Sequence, residues 1–139
     1  MDVLTYLIDI STEECEDLLA AATVGRLGVI VDGRPEIFPV NHVYDRDSGC
    51  VVFPTNASTK FRAALNWPTV AFEVDGVDPD DSRAWSVAVV GRAEELTDAA
   101  EIERLARQRS VRWAAGRSTH WLRIVPSKMT GRWVSAEVG

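Results

Sequence analysis

Short apolar, β-branched runs, each closed by a turn signal, constrain this chain more than any other feature. Val24–Val31 (VGRLGVIV) ends at Asp32-Gly33, a dipeptide that favours the tight turn of a β-hairpin. Pro35–Tyr44 is the expected return strand, in which Pro39 cannot donate a ladder hydrogen bond and so belongs on an edge or at a bulge. Asp45–Gly49 (DRDSG) is a further turn before a strand over Cys50–Thr55. Thr69–Val74 and Trp85–Leu96 continue the pattern, separated by an acidic loop over Asp75–Asp81, with Gly91 as a bend. His120–Val125 and Thr130–Ser135 complete six or seven strands joined mainly by hairpins.

Three stretches interrupt this rhythm. Ser11-Thr12-Glu13-Glu14 matches a capping box, and Cys15, Leu18, Leu19 and Ala22 recur at helical spacing, which predicts a helix over Thr12–Ala22. Ser58–Asn66 is a short helix that stops before Trp67-Pro68, because a residue preceding proline is pushed out of the helical region. Thr97 or Asp98 caps a third helix through about Gln108, and Ser110–Thr119 is irregular. Strands at regular spacing without strand–helix alternation predict a mainly β fold: an antiparallel barrel with short peripheral helices.

The chain has 139 residues, which suits one domain spanning 1–139. Its net charge is −6, whereas nucleic-acid binders usually carry a basic surplus, so the balance argues against DNA or RNA as the main partner. Apolar stretches fall well short of the roughly 20 residues that cross a membrane. Met1–Ile10 carries Asp2 and no basic n-region, so it does not read as a secretory signal, and a cytoplasmic location is expected. Cys15 and Cys50 lack the partners of a zinc site and are expected as free buried thiols.

The common catalytic sets are missing: the chain has two histidines, His42 and His120, and no HExxH, CxxC, Gly-x-Ser-x-Gly, Rossmann or Walker A motif. The most informative segment is Phe53–Lys60 (FPTNASTK). A strand delivers Thr55, a polar turn follows, and Ser58 opens a helix with Lys60 in its first turn. Free backbone N–H groups at a helix start form a natural phosphate seat, which the Thr55 and Ser58 hydroxyls and the Lys60 ammonium reinforce. Lysine there opposes the helix dipole unless an anion is present. The bland alternative is a serine that caps the helix and a lysine in solvent. Upstream, Asn41 and His42 point to opposite faces of a regular strand, so one of them enters the interior and needs partners there. The acidic segment Val74–Asp81 lacks the register of a calcium loop. Arg26 is read as paired with a buried acid, and the five arginines from Arg104 to Arg117 as a solvated rim.

Taken in order, Val24-Gly25-Arg26-Leu27, Pro39-Val40-Asn41, Tyr44-Asp45, Gly49–Phe53, Thr55–Lys60, Ala71–Asp75, Trp85-Ser86-Val87, Gly91–Glu94, Trp121–Pro126 and Thr130-Gly131-Arg132 carry a resemblance. The chain resembles the FMN-binding split-barrel family of pyridoxamine 5'-phosphate oxidase, in the short branch that includes nitroimidazole-reductase-like flavoproteins. The resemblance implies an antiparallel split β-barrel and a flavin-dependent oxidoreductase acting on a small-molecule substrate. It implies that Thr55, Ser58 and Lys60 hold the FMN phosphate, and that Pro39, Val40, Asn41 and His42 line the isoalloxazine ring. It further implies a homodimer in which Trp85 and Ser86 reach the flavin site across the interface.

The departures matter as well. Ile37 and His42 stand where the oxidase proper has Arg and Lys, and Trp133 lacks the arginine that follows it there, which argues against vitamin B6 oxidase activity. Relatives with this barrel bind a deazaflavin coenzyme or haem, so the alternative reading is a protein that stores or senses flavin, deazaflavin or haem without turnover. With haem, His42 or His120 would be the axial ligand. Among the five tryptophans, Trp85 is the one expected at the cofactor.

Overall fold

Two long antiparallel strands organise the sheet, β7 (Arg83–Leu96) and β8 (His120–Val138), paired from Arg83↔Ser135 to Leu96↔Trp121. The computed structural model describes residues 3–80, 82–108 and 120–138. On the free flank of β7 lie β6 (Thr69–Val77), β2 (Val24–Val31) and, at the edge, β3 (Arg34–Asn41). β8 carries β5 (Cys50–Thr55) along its first residues and β1 (Val3–Asp9) along its last, while β4 (Val43–Asp45) adds to β5. The result is a curled, wholly antiparallel split barrel, mainly β, with three short helices: α1 (Thr12–Ala21), α2 (Thr59–Asn66) and α3 (Ala99–Ala106). No helix among the described residues is long and apolar enough to cross a membrane.

Local chemistry explains most boundaries. Asp32 and Gly33 both take positive φ, 51° and 77°, as the tight β2–β3 turn requires. Pro39 sits on the edge strand β3, where its missing N–H costs no ladder bond. The bend at Gly91 is a register shift against β8, and a Cβ at this position would run into the Val125 carbonyl. Ser11 caps α1 by accepting from the Glu14 N–H at 3.2 Å. The second half of the capping box does not form, because the Glu14 carboxylate accepts from the Trp133 indole at 3.1 Å instead.

Four boundaries differ from the sequence-based expectation. Val3–Asp9 forms an additional, eighth strand: Tyr6, Leu7 and Ile8 are all exposed, so no burial alternation marks it, and it is held by pairing with β8. The return strand Pro35–Tyr44 breaks at His42 into β3 and β4. β6 runs three residues into the expected acidic loop, because Asp75, Gly76 and Val77 find ladder partners in Ser86, Trp85 and Ala84. His120–Val138 is one continuous strand where two were expected, held in turn by β5, β7 and β1. The expected irregular stretch Ser110–Thr119, with Trp113, Arg112 and Arg117, lies outside the described residues, as does Arg109.

The core has two parts. Inside the curl, Leu27, Phe53, Phe72, Val87, Val89, Leu122 and Ile124 pack with Phe61 and Ala64 of α2 and Cys15 and Leu19 of α1. Outside it, Leu105 of α3 covers Val43, Cys50, Val52, Leu96 and Trp121. β5 is therefore buried on both faces, which is why its sequence is an unbroken apolar run. Both cysteines are buried and free. Arg26 pairs with Glu73 at 2.7 Å and Asp75 at 3.2 Å, yet all three side chains are at least a third exposed, so the expected buried acid is a surface pair.

Candidate functional site

The turn from β5 into α2 holds polar groups that the described residues leave weakly paired or unpaired. Thr55, the last residue of β5, is buried, and its hydroxyl makes only a long 3.3 Å bond to the neighbouring Asn56 carbonyl. Ser58 occupies the N-cap position of α2 in extended backbone, but its side chain caps nothing. Its Oγ is buried with no hydrogen-bond partner among the described residues. A buried hydroxyl left unpaired costs about 1–3 kcal/mol, so the capping alternative does not describe this serine. Lys60, in the first turn of α2, is half-buried, with its Nζ 6.0 Å from the Phe38 ring. Burial, with no carboxylate against it among the described residues, pushes the ammonium below its ordinary range. α2 has no acidic residue in its first turn.

These groups match the needs of a phosphate. The first N–H groups of α2 are unsatisfied donors, Ser58 Oγ is an orphaned donor, and Lys60 is a cation lacking a counter-charge. The residues present thus fit an anionic cofactor tail, and the fit follows from the unpaired atoms themselves.

The other expected site residues divide between two places. Val40 is buried at the end of β3, with Pro39 exposed and Asn41 half-buried beside it. His42 enters the interior, as one of the Asn41–His42 pair was expected to do. It lies beneath α1, its Nε2 3.0 Å from the Leu19 carbonyl and its ring edge-on to Phe72 at 4.9 Å. That geometry assigns the proton to Nε2 and leaves Nδ1 as a buried acceptor without a partner among the described residues. Burial pushes the imidazole below its ordinary pKa, against the opposing bond to Leu19, so His42 is neutral and a poor proton donor. It borders a cavity of about 340 Å³ formed with Ala20–Thr23, Tyr44–Asp47 and Gln108, which contains no residue of the β5–α2 turn.

Trp85 and Ser86 lie at the far end of β7. Trp85 pairs with Gly76 and Trp133, whereas Thr55 pairs with His120 near the Leu96 end. Roughly 37 Å of strand contour, at about 3.4 Å per residue, separates Trp85 from Leu96.

One neighbour of the turn was not singled out from sequence as a phosphate-side group. His120 is the register partner of Thr55, stacks on Phe61 of α2 at 4.4 Å, and holds Glu95 at 2.8 Å through Nδ1. Only the β5–β8 register brings it there, and no local pattern encodes that register. Asp45, at the other end of β5, is buried and takes Arg104 through both carboxylate oxygens (3.1 and 3.2 Å) and Ser48 at 2.6 Å. The Arg104 bonds hold its carboxyl below the usual carboxylate range.

With this geometry in hand, a family model described as pyridoxamine 5'-phosphate oxidase matches residues 11–133. Among solved structures, the FAD binding protein from Mycobacterium smegmatis is 34% identical, covers 92% of this chain and 98% of its own, and superposes with a TM-score of 0.75. An FAD-binding protein from Mesorhizobium loti is 26% identical, covers 96% and 99%, and gives a TM-score of 0.74. An uncharacterized protein of Mycobacterium tuberculosis, Rv0080, is 31% identical over 73% of this chain and 68% of its own length.

Proposed function

The chain belongs to the pyridoxamine 5'-phosphate oxidase family, and from that premise we propose that it is a flavin-dependent oxidoreductase whose cofactor phosphate sits on the β5–α2 turn. The observation that carries the reading is the pairing of an orphaned, buried Ser58 hydroxyl with an unpaired, half-buried Lys60 at one helix start. FMN is the unit that this seat takes. The two relatives named for FAD binding support a flavin, since FAD contains the same unit as one half.

When bound, the flavin supplies hydride and single-electron transfer, while the protein supplies orientation and electrostatics. Lys60 neutralises phosphate charge, and Ser58 and Thr55 donate to its oxygens. Pro39, Val40 and Asn41 form one wall for the ring. His42, neutral and tied to α1, fixes the β3–β4 crossing behind that wall.

The site is completed by a second copy of the chain. Trp85 and Ser86 lie too far along β7 to join the turn of their own subunit. An apolar groove of about 290 Å³ between Gly28, Ile37, Ala71 and Val90 supports pairing, with Ile37 70% exposed. A homodimer would cover that face.

The test is the absorption spectrum of the freshly purified protein, before and after adding FMN and desalting. Retained flavin bands are expected, and a protein that stays colourless both times overturns the reading. Reduction of the bound flavin by a nicotinamide cofactor then distinguishes an oxidoreductase from a storage protein.

A further inference from the structure

We propose that the cavity at the C-terminal end of α1 is a binding site for a small organic cation, a primary ammonium or a guanidinium. The site is separate from the flavin seat, and the inference does not depend on the flavin reading.

The cavity, about 340 Å³, lies between the end of α1, from Ala20 to Thr23, and β4 with its following turn, from Tyr44 to Asp47. β4 ends the sheet, so no further strand fills the space beside it. His42, 4% exposed, belongs to the lining. Its Nε2–H is spent on the Leu19 carbonyl at 3.0 Å, which fixes the ring. Nδ1 is left as a buried acceptor without a partner among the described residues. Only a donor satisfies that atom.

The other groups around the cavity ask for the same chemistry. α1 leaves its last turn through Ala22 in extended backbone, with φ −75° and ψ 142°, and not through the left-handed residue that closes many helices. The Ala22 N–H returns to the Leu18 carbonyl, and His42 takes that of Leu19. The carbonyls of Ala20 and Ala21 stand at the negative pole of the helix dipole, with no basic residue in the last turn. Asp47 adds a carboxylate that is 86% exposed and meets Arg104 only at 3.7 Å. The nearby cations are engaged elsewhere: Arg46 holds Asp17 at 2.9 Å, and Arg104 binds both oxygens of Asp45. An acceptor imidazole, helix carbonyls and a carboxylate together recognise a cation that carries N–H donors. No group of three His, Cys, Asp or Glu that could hold a metal occurs among the described residues, which favours an organic cation over a metal ion.

The test titrates n-propylammonium chloride into the purified protein at constant ionic strength, followed by NMR of the His42 ring nitrogens and of the backbone amides. The His42 Nδ1 resonance and the Thr23 and Asp47 amides are expected to shift together and to saturate. Neither n-propanol nor sodium propionate should produce these shifts. Asp47→Asn should weaken the ammonium roughly 1.5- to 5-fold, the range for an exposed ion pair, with Nδ1 still shifting at saturation. Added FMN should leave the dissociation constant unchanged, because no residue of the β5–α2 turn lines the cavity. Shifts that never saturate, or that propionate reproduces, overturn the inference. A saturable shift that leaves His42 Nδ1 unmoved overturns it as well. An ammonium affinity that FMN lowers places the two ligands in one site and overturns it too. Failure of the protein to bind FMN overturns the flavin reading and leaves this inference standing.

Discussion

The two ends of β5 are both polar turns, but they differ in how their polar groups are satisfied. At the Cys50 end, Asp45 is buried, and both its oxygens are occupied by Arg104 and Ser48. The pairing docks α3 on the outer face of the strand. At the Thr55 end, Ser58 keeps a buried hydroxyl without a partner, and Lys60 lies half-buried with no carboxylate against it. Polar groups that serve the fold are paired within it, because an unpaired one is costly. At the Thr55 end the unpaired Ser58 hydroxyl and Lys60 ammonium meet at one helix start, which marks a place for a partner from outside.

The strongest way to break this comparison is to remove the unsatisfied end. Thr55→Val together with Lys60→Ala should lower flavin affinity roughly 100-fold or more, the loss of two charge-assisted bonds of about 1.5–3 kcal/mol each. Circular dichroism and the unfolding midpoint should stay near wild type. Large destabilisation with flavin affinity retained would show that the turn serves the fold. The satisfied end should do the reverse: Asp45→Asn should cost about 2 kcal/mol in urea unfolding, since it leaves a buried amide facing a guanidinium. Flavin affinity should not change.

The satisfied end was only half legible in the sequence. Asp45–Gly49 reads as a turn from its residue types, but its link to Arg104 is a contact across 59 positions that no periodicity encodes. The unsatisfied end was more legible, because a hydroxyl, an N-cap serine and a first-turn lysine lie within six residues. What sequence could not decide was whether Ser58 caps its helix, since that depends on a rotamer. His120 shows the same limit, for only strand register sets it beside Thr55. β1 was invisible because its exposed side chains carry no alternation, and β8 looked like two strands because its neighbours change along its length.

His42 offers a smaller effect on a third buried polar group. Its folded pKa lies below its unfolded value, because burial disfavours the cation. Below about pH 6.5 the unfolded chain therefore binds a proton that the folded chain does not, so stability falls as pH falls. The slope from this group is at most about 1.4 kcal/mol per pH unit. His42→Gln should flatten the fall between about pH 6.5 and the folded pKa, measured by urea unfolding across pH. An unchanged slope would mean that His42 titrates alike in both states.

The finest test compares two serines in the same nominal role. Ser11 and Ser58 both precede helices in extended backbone, with φ and ψ of −63° and 157° for Ser11 and −107° and 175° for Ser58. Ser11 accepts from the Glu14 N–H, so Ser11→Ala should cost about 1 kcal/mol, the usual price of a lost cap. Ser58 makes no such bond and keeps a buried hydroxyl unpaired, so Ser58→Ala should leave the apoprotein's stability unchanged or slightly higher. The same change should weaken flavin binding, because it removes a donor from the phosphate seat. Stability and affinity moving in opposite directions at one atom is the signature of a group kept for a ligand. If Ser58→Ala instead costs what Ser11→Ala costs and leaves flavin binding intact, Ser58 is a helix cap and the contrast between the two ends of β5 fails.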